Sequence, residues 1–346
     1  MQVTIYERHA PGGGQSAGGT RIFRLNHSDA RLVRLAQRAR LIWRRWEDEY
    51  GVSLVGRDGV LVAGPAAAAR RDGLRMVGED GAWVDAARQA ACLPVLRPLA
   101  GPVLLDAGGG PIRTEQAIGV LAHDLREALR QAEVLAVRPV PGPGVELLTP
   151  QGSHRHDAAV LCAGQDTVRL ARQFDLEVPI ELSLHHRATF RVHGSPPGRM
   201  SCLQDASVEY GDTVYGSPYP SRGLFAVGLS GDTGELAAGE GGLALERFDE
   251  IRRRVSSYVR GALPGLDSEP VDDVTCWVTR LPWGSDGVAA WNANGITTIA
   301  GNNLFKHAPA LGELLADAAC TGDVPEILRP ETELGRPQPA SAGLSA

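Results

Sequence analysis

The sequence predicts an α+β fold in which a parallel-sheet domain is interrupted by an antiparallel-sheet domain. Strand–helix–strand patterns near the start, middle and end of the chain are typical of parallel sheets with crossover helices. Residues 185–230 instead alternate in polarity and contain several turn signals, as antiparallel strands do. The length of 346 residues is enough for about two domains.

The first part of the chain contains a strand, a glycine-rich loop and a long helix. Residues 2–7 are a short run with β-branched residues that ends in an acid, as expected of a buried strand. A glycine-rich stretch follows over 10–21. A helix is predicted from Ser28 or Asp29, either of which can cap its first turn, to about Tyr50, because apolar residues recur along one face.

Apolar spacing and turn residues predict the remaining elements. Strands are expected over 59–62, 134–137, 145–148, 156–164 and 295–300, with another after Thr275. Helices are expected over 66–90, 116–133, 242–262 and 309–320. The last residues, 331–346, are rich in proline, serine and glycine and predict a loose tail.

Composition excludes several classes of protein. A formal charge of −6 and a pI near 5.9 do not fit a nucleic-acid-binding surface, which requires clustered positive charge. No apolar run is long enough to cross a bilayer, and the first residues do not resemble a secretion signal. The five cysteines are scattered, which disfavours a disulfide scaffold or a metal site. We therefore expect a cytoplasmic protein with a small-molecule ligand and neither a nucleic-acid nor a membrane partner.

Lysine usage is the most unusual compositional feature. Lys306 is the only lysine among the 35 basic side chains, and all the others are arginine. A site that keeps lysine against such a bias can require a compact point charge or an easily shifted pKa, which arginine does not provide. Chance survival of a single lysine is the alternative interpretation.

The glycine-rich stretch contains a weak match to a dinucleotide-binding motif. Residues 12–17 satisfy G-x-G-x-x-G/A after a strand. However, four residues separate them from that strand, and they do not lead directly into a helix. Glu7 is the better candidate for nucleotide binding, because a carboxylate at a strand end can accept hydrogen bonds from both hydroxyls of a ribose.

Several further motifs occur in order along the chain. They are G-T-R-I-F-R at 19–24, G-V-L-V at 59–62, V-L-C-A-G at 160–164, Y-G-S-P at 215–218, T-C-W-V-T at 275–279 and G-N-N-L-F-K at 301–306. Together with Glu7 they resemble the monomeric sarcosine oxidase and N-methyltryptophan oxidase group, within the D-amino-acid-oxidase-like family of FAD-dependent enzymes. The resemblance extends from Val3 to about Leu328.

The resemblance implies FAD as the cofactor, with covalent attachment through the thiol of Cys276. The residues implied in cofactor binding are Glu7, Thr20, Arg21, Ala163, Gly164, Cys276, Gly301 and Lys306. It also implies an enzyme that oxidises a C–N bond of an amine or N-alkyl amino acid by hydride transfer to the flavin. The electrons then pass to O2 or another acceptor.

Three residues are implied to be catalytic. Arg24 would provide a bidentate fork for the substrate carboxylate and Lys306 a second positive charge. Tyr215 would flank the substrate. Arg21 is expected to lie against the flavin.

The resemblance also implies a domain organisation. A discontinuous FAD-binding domain is expected over 1–50, 106–170 and 280–330, and a substrate domain over 51–105 and 171–279. The family's first strand and its glycine turn have no counterpart before Gln2, so the FAD-binding domain is expected to be incomplete at its N-terminus.

A second departure concerns the reaction with oxygen. Ala226 and Ser230 stand where sarcosine oxidases have a lysine that activates oxygen and a histidine. Because negative charge develops on oxygen as it accepts an electron, loss of that lysine predicts slow electron transfer to O2.

Two other functions stay open at this point. The chain could be a flavin-poor or catalytically inactive family remnant that acts as a scaffold or partner subunit. It could also be a nicotinamide-dependent dehydrogenase that uses residues 12–17. No role is assigned to His185, His186 or His193, because metal binding requires further ligands that the sequence does not identify.

Overall fold

A computed structural model describes residues 2–207, 213–219, 222–229 and 241–338 of the chain. The strands are β1 Ile5–Glu7, β2 Thr20–Phe23, β3 Val60–Ala63, β4 Gly81–Val84, β5 Val103–Asp106, β6 Gly110–Arg113, β7 Leu129–Gln131, β8 Ala136–Pro139, β9 Val145–Thr149, β10 Gly152–His156, β11 Ala159–Leu161, β12 Glu181–Arg191, β13 Cys202–Asp205, β14 Val214–Tyr219, β15 Leu224–Leu229, β16 Asp272–Arg280, β17 Val288–Ala293 and β18 Ile296–Gly301. The helices are α1 Ala30–Tyr50, α2 Ala67–Arg75, α3 Ala86–Cys92, α4 Thr114–Asp124, α5 Thr167–Ala171, α6 Gly241–Ala262 and α7 Ala308–Thr321.

The chain divides into two compact units, each assembled from separated segments. Among the described residues, the first comprises 2–17, 115–182 and 278–336, and the second comprises those within 18–114, 183–277 and 337–338. This division differs from the predicted domains chiefly at α1, which belongs to the second unit because it packs against α2. In the described parts of the chain, no helix combines the length and apolar character needed to cross a bilayer.

The first unit contains two parallel strand pairs. β1 pairs in parallel with β7, and β11 pairs in parallel with β18, while β8, β9 and β10 form an antiparallel sheet. Parallel strands place their carboxyl ends at the same edge of a sheet. An ion pair of 2.8 Å between Arg8 and Asp166 joins the segment after β1 to the segment after β11. The carboxyl ends of β1, β11 and β18 therefore lie close together.

The second unit contains the large sheet. Its eight strands follow the order β16-β12-β15-β14-β13-β3-β5-β4, with β12, β15, β14 and β13 antiparallel in succession, as predicted for 185–230. One face of this sheet packs against α6, in an apolar core that includes Phe190, Phe225, Val227, Val255 and Tyr258. β2 and β6 form a separate antiparallel pair. The α+β fold class is confirmed.

Two predicted helices are interrupted by strands. Residues 66–90 form α2, β4 and α3 rather than one helix, and the left-handed Gly78 (φ +77°) lies at the first interruption. In the segment 116–133, α4 ends at Asp124 and β7 follows, because its backbone pairs with β1. In both cases pairing with distant strands overrides the local helical pattern.

The predicted tail is packed through its first residues. Leu334 is completely buried, and its carbonyl oxygen accepts hydrogen bonds of 3.0 Å from the backbone of Val288 and from Trp283 Nε1. This corrects the expectation of a loose segment from 331, because one leucine is sufficient to anchor the chain against β17. Residues 339–346 of the predicted tail lie outside the described residues.

Candidate functional site

A group of polar side chains lies on the large sheet of the second unit, on the face opposite the apolar core. The strand register pairs Arg187 on β12 with Gly228 on β15, and Gly228 with Tyr215 on β14. Because side chains alternate along a strand and Ala188 lies in the core, this row points away from the core. His185 occupies the same face of β12, and its ring centroid lies 6.4 Å from that of Tyr215.

Glycine at position 228 makes room for the phenol of Tyr215. A Cβ atom built on Gly228 would lie 2.4 Å from Tyr215 Oη, which is far shorter than any real contact of this kind. The ring of Tyr215 therefore occupies the space above the backbone of β15. A side chain at this position would displace the phenol from the site.

Two arginines from separate parts of the chain converge beside this row. Arg21 Nη1 and Arg187 Nη1 both donate to the carbonyl oxygen of Thr20, at 2.9 and 3.0 Å. Gly18, with φ +96°, permits the approach, since a Cβ there would overlap Arg187 Nη2. The guanidinium groups of Arg21 and Arg187 therefore lie side by side, and Arg187 is only 7% exposed.

The charges in this cluster influence one another. Burial lowers the pKa of Arg21, and the positive charge of Arg187 lowers it further, whereas Cys276, Tyr215 and Tyr219 act in the opposite direction. Burial raises the pKa of the Cys276 thiol, and the two arginines oppose that rise. Burial also raises the pKa of Tyr215. At neutral pH the thiol and the phenol are therefore predominantly uncharged, and the arginines make the cluster positive.

Thr20 fixes β2 against β14. Its buried Oγ1 lies 2.8 Å from Ser217 Oγ and donates to the carbonyl of Pro218 at 2.9 Å. These contacts tie the strand that carries Arg21 to the strand that carries Tyr215. The hydroxyl of Thr20, a predicted cofactor-binding group, thus forms structural hydrogen bonds.

Arg24, which is predicted to hold a substrate carboxylate, is bonded within its own segment. Its Nη1 donates to the carbonyl of Asn26 at 2.6 Å and lies 3.1 Å from His27 Nδ1. The same segment is anchored by buried Asp106, which accepts hydrogen bonds from the backbone of Leu25 and Asn26 at 2.7 and 3.0 Å. These contacts hold Arg24 in the turn after β2, and its role in binding a substrate carboxylate stays a prediction.

The other predicted residues belong to the first unit and lie where parallel strands end. Glu7 ends β1, Ala163 and Gly164 follow β11, and Gly301 ends β18. Gly164 and Gly301 have φ values of +56° and +150°, which side-chain-bearing residues rarely adopt. In sheets of this kind, ligands bind outside the carboxyl ends of the strands.

Lys306 lies in the short turn 304–307 that follows β18. Its side chain is buried, with 3% exposure, and Nζ donates to the carbonyl of Asn303 at 3.1 Å. Asn303 adopts a left-handed conformation with φ +58°, which aims that carbonyl at the ammonium group. The only lysine of the chain is therefore held in a defined position.

Residues 12–17 form turns and do not begin a helix. The backbone of Gly13 donates to Ala10, and that of Ala17 donates to Gly14, both at 2.9 Å. Gly12 packs against α4, where a Cβ would overlap the side chain of Ile118. The glycine pattern is thus explained by a turn and by packing, which removes the structural basis for a nicotinamide-binding motif here.

Motif matching does not identify Arg187 or His185 as site residues. The signal that could have found them is alternation, since they are two residues apart on a strand whose intervening residue, His186, points to the opposite face. His186 Nδ1 lies 3.1 Å from Thr275 Oγ1, and burial lowers the pKa of the His186 imidazole.

Ala226 lies on the same face of the sheet as Tyr215. Arg187 places a positive charge on that face, which the comparison of motifs alone does not reveal. Ser230 lies outside the described residues.

Comparison with known proteins identifies relatives of this fold. The sequence profile of the family described as FAD dependent oxidoreductase (DAO) matches residues 1–318. The open form of NikD, described as an unusual amino acid oxidase essential for nikkomycin biosynthesis, is 20% identical with a TM-score of 0.81, over 100% of this chain and 93% of that chain. Glycine oxidase from Geobacillus kaustophilus is 18% identical with a TM-score of 0.70, over 92% and 88% of the two chains.

A dehydrogenase also shares the fold. L-proline dehydrogenase from P. horikoshii is 16% identical with a TM-score of 0.73, over 94% of this chain and 89% of that chain. No curated protein matches the sequence. At these identities the solved structures establish a common fold, and the profile match establishes the family.

Proposed function

We propose, from the premise that this chain belongs to the DAO family of FAD-dependent oxidoreductases, that it oxidises the C–N bond of an N-alkyl amino acid or a related amine. The observation that supports this substrate class is the pair of guanidinium groups of Arg21 and Arg187, set beside Tyr215 and Cys276. A substrate with a carboxylate gains charge-assisted hydrogen bonds from such a pair, whereas an amine without an acid group does not.

The residues of the first unit have the chemistry that FAD requires. Glu7 ends a parallel strand, where its carboxylate can accept hydrogen bonds from ribose hydroxyls. Gly164 leaves open space, because the nearest atom to a Cβ built there is Gln15 Oε1 at 3.8 Å. We propose that Ala163 and Gly164 let the cofactor approach the backbone, that Gly301 contributes to the cofactor site through its position at the end of β18, and that Lys306 supplies a compensating positive charge. The Cβ position of Gly301 is itself occupied by the backbone of Gly287.

The residues of the second unit bind and orient the substrate in this proposal. When bound, FAD supplies the acceptor for the hydride removed from the substrate. Arg21 attracts the substrate's carboxylate, and the uncharged phenol of Tyr215 flanks the substrate and limits the access of water. Cys276 is the point of covalent attachment, as in the sarcosine oxidase group that the sequence resembles.

The purified protein tests this proposal directly. We expect yellow protein whose visible absorption is that of oxidised flavin and is bleached anaerobically by N-methyl amino acids. Flavin fluorescence should stay with the denatured polypeptide of the wild type and of a Cys202→Ala control, and should leave that of Cys276→Ala. Reoxidation by O2 and by an artificial dye then identifies the preferred class of electron acceptor.

A different result would support the runner-up function. Protein that binds no flavin in the presence of added FAD, and that purifies with another chain, would contradict the proposed oxidation and favour a scaffold. Protein that binds flavin but is bleached only by amines without a carboxylate would retain the family assignment and contradict the substrate class.

A further inference from the structure

We propose that a groove on the second unit, separate from the cluster of Arg21, Arg187, Tyr215 and Cys276, binds a small organic anion. The ligand class is an apolar ring or chain that carries one acid group. None of those four residues is among the described residues that line the groove. The inference goes beyond the proposed oxidation and does not depend on it.

Separated segments of the second unit build this groove, which we call the Arg113 groove. The segments are the end of α1 with the loop that follows it (47–58), β6, the loop 196–200 and the end of β14. The backbone of Gly56 donates to the carbonyl of Pro111 at 2.8 Å, and Arg199 Nη2 donates to that of Arg57 at 2.6 Å. These hydrogen bonds hold the segments together around a cavity of about 830 Å³. Clefts of this size accommodate small organic ligands.

Part of the wall of the Arg113 groove is apolar. Val55, Pro111, Met200, Pro218 and Tyr219 line it, and all five side chains are largely buried within the fold. Because proline has no backbone N–H, the two prolines offer apolar surface and no hydrogen-bond donor. Removal of apolar ligand surface from water against this wall is favourable. The wall therefore fits the ring or chain of the proposed ligand.

Strand register directs the side chain of Arg113 towards this groove. Arg113 on β6 lies opposite Thr20 on β2, and Thr20 Oγ1 donates to the carbonyl of Pro218, which lines the groove. Residues that lie opposite each other on paired strands present their side chains on the same face. Arg21 is the next residue on β2 and lies opposite Ile112, so it projects from the other face. The guanidinium groups of Arg113 and Arg21 therefore belong to two different sites.

Arg113 is also incompletely bonded. Its side chain is half-buried, and its Nε is buried without a hydrogen-bond partner among the described residues. A buried donor that lacks an acceptor costs free energy, which a ligand oxygen at this position would recover. An acid group is the best acceptor, because a hydrogen bond between two charged groups is stronger than one between neutral groups.

The other charged groups of the groove leave it positive. Asp58 accepts a hydrogen bond of 2.8 Å from Arg199 Nε. Glu47 Oε1 accepts hydrogen bonds from the backbone of Leu54 and Val55, at 2.7 and 2.8 Å. Both carboxylates are thus held by groups of the wall, and the described lining contains three arginines, at positions 57, 113 and 199, against these two acids. An anion complements this charge.

The test uses the holoenzyme and naphthyl phosphate, with naphthol as the neutral analogue. Binding is measured by calorimetry and by naphthalene fluorescence. Naphthoate is titrated in parallel, so that the comparison shows whether the groove prefers a phosphate ester or a carboxylate. The variant Arg113→Gln removes the charge of the groove, and Arg97→Gln, which removes an exposed arginine elsewhere in the same unit, is its matched control.

A second variant adds charge instead of removing it. Gly198 lines the groove, and a Cβ built there has nothing within 4 Å, so Gly198→Glu places a carboxylate beside the ligand without overlap. Gly119→Glu is the matched control, because its Cβ position in α4 is equally open and lies in the other unit. Thermal melting shows whether each variant folds, and Gly198→Glu decides the question if Arg113→Gln does not.

We expect the wild type to bind naphthyl phosphate or naphthoate more tightly than naphthol. Arg113→Gln should weaken binding of the anion by about ten-fold or more, since a charge-assisted contact is lost. Gly198→Glu should weaken it as well, whereas both controls should bind as the wild type does. Equal binding of naphthol and the anions, or unchanged anion binding in a folded Arg113→Gln or Gly198→Glu, would overturn the proposal. Anion binding that Arg187→Gln weakens as much as Arg113→Gln does would place the ligand in the other cluster and would also overturn it.

Discussion

At the scale of single residues, burial and charge decide which cysteine can react. Cys202 is completely buried beside Ser217, and burial raises the pKa of its thiol to about 12. Cys276 is only half-buried, and the positive charges of Arg21 and Arg187 oppose the rise caused by burial. Because the thiolate is the nucleophile, Cys276 is better suited of the two for attachment to a flavin.

This difference predicts how covalent attachment depends on pH. When flavin-free protein is incubated with FAD, the attachment rate should increase with pH, because the raised pKa of Cys276 keeps the thiolate fraction small near neutrality. Arg187→Gln removes a charge that lowers this pKa, so its pH profile should shift upward. Fluorescence of the denatured polypeptide measures attachment, and a profile that falls with pH would contradict the assignment.

At the scale of elements, the site depends on the register of three neighbouring strands. Arg187, Gly228 and Tyr215 form one row across β12, β15 and β14, although they are far apart in sequence. The opposite face of the same strands forms the apolar core that packs on α6. Shifting one strand by a single residue would exchange these faces, so the apolar core and the polar row specify the same register.

The close packing of Tyr215 over Gly228 predicts the effect of adding a methyl group at position 228. Gly228→Ala places a Cβ 2.4 Å from the present position of Tyr215 Oη, so the phenol must move. We expect a loss of stability of about 1–3 kcal/mol from overpacking, together with weaker substrate binding. Gly119→Ala in α4 is the matched control, because nothing lies within 4 Å of its Cβ position. Urea unfolding measures the loss of stability. If Gly228→Ala has unaltered stability and unaltered substrate binding, the phenol of Tyr215 does not pack over position 228 as described.

At the scale of the whole molecule, the chain alternates between two units, so each unit depends on pairing between distant segments. Arg187 and Thr20, which form one hydrogen bond, are 167 positions apart. The composition provides a probe of this organisation, because the chain has a single lysine and it is 3% exposed in the first unit. A lysine-specific protease can therefore cut the chain at one place only.

Cleavage at Lys306 should report opening of the first unit. We expect native protein to be cut slowly, because a buried lysine becomes accessible only when the structure around it opens. Flavin that binds only the closed state should slow cleavage by about a hundred-fold at a hundred times its Kd. An arginine-specific protease is the control, since many arginines are exposed. Rapid cutting of native, flavin-loaded protein at Lys306 would contradict the role proposed for this lysine.

The sequence predicts the local features of this protein well. The 21-residue helix α1 begins at Ala30 after its cap Asp29 and ends at Tyr50, as its apolar spacing indicates. The antiparallel middle strands and the FAD-dependent family were also correctly inferred. These features are readable because each depends on the residues of one segment, such as an apolar period, a cap or a short motif.

Tertiary structure decided which groups the arginines contact. Arg21 and Arg24 are three residues apart and look equally suited to a carboxylate, but Arg24 is bonded to its own turn and Arg21 is joined by Arg187. A charged side chain takes its role from the groups that long-range strand pairing brings beside it. The sequence by itself determined the helices α1, α6 and α7, the middle sheet and the family, because those depend on local patterns. The partner of each arginine depends on contacts between distant segments, which local patterns do not encode.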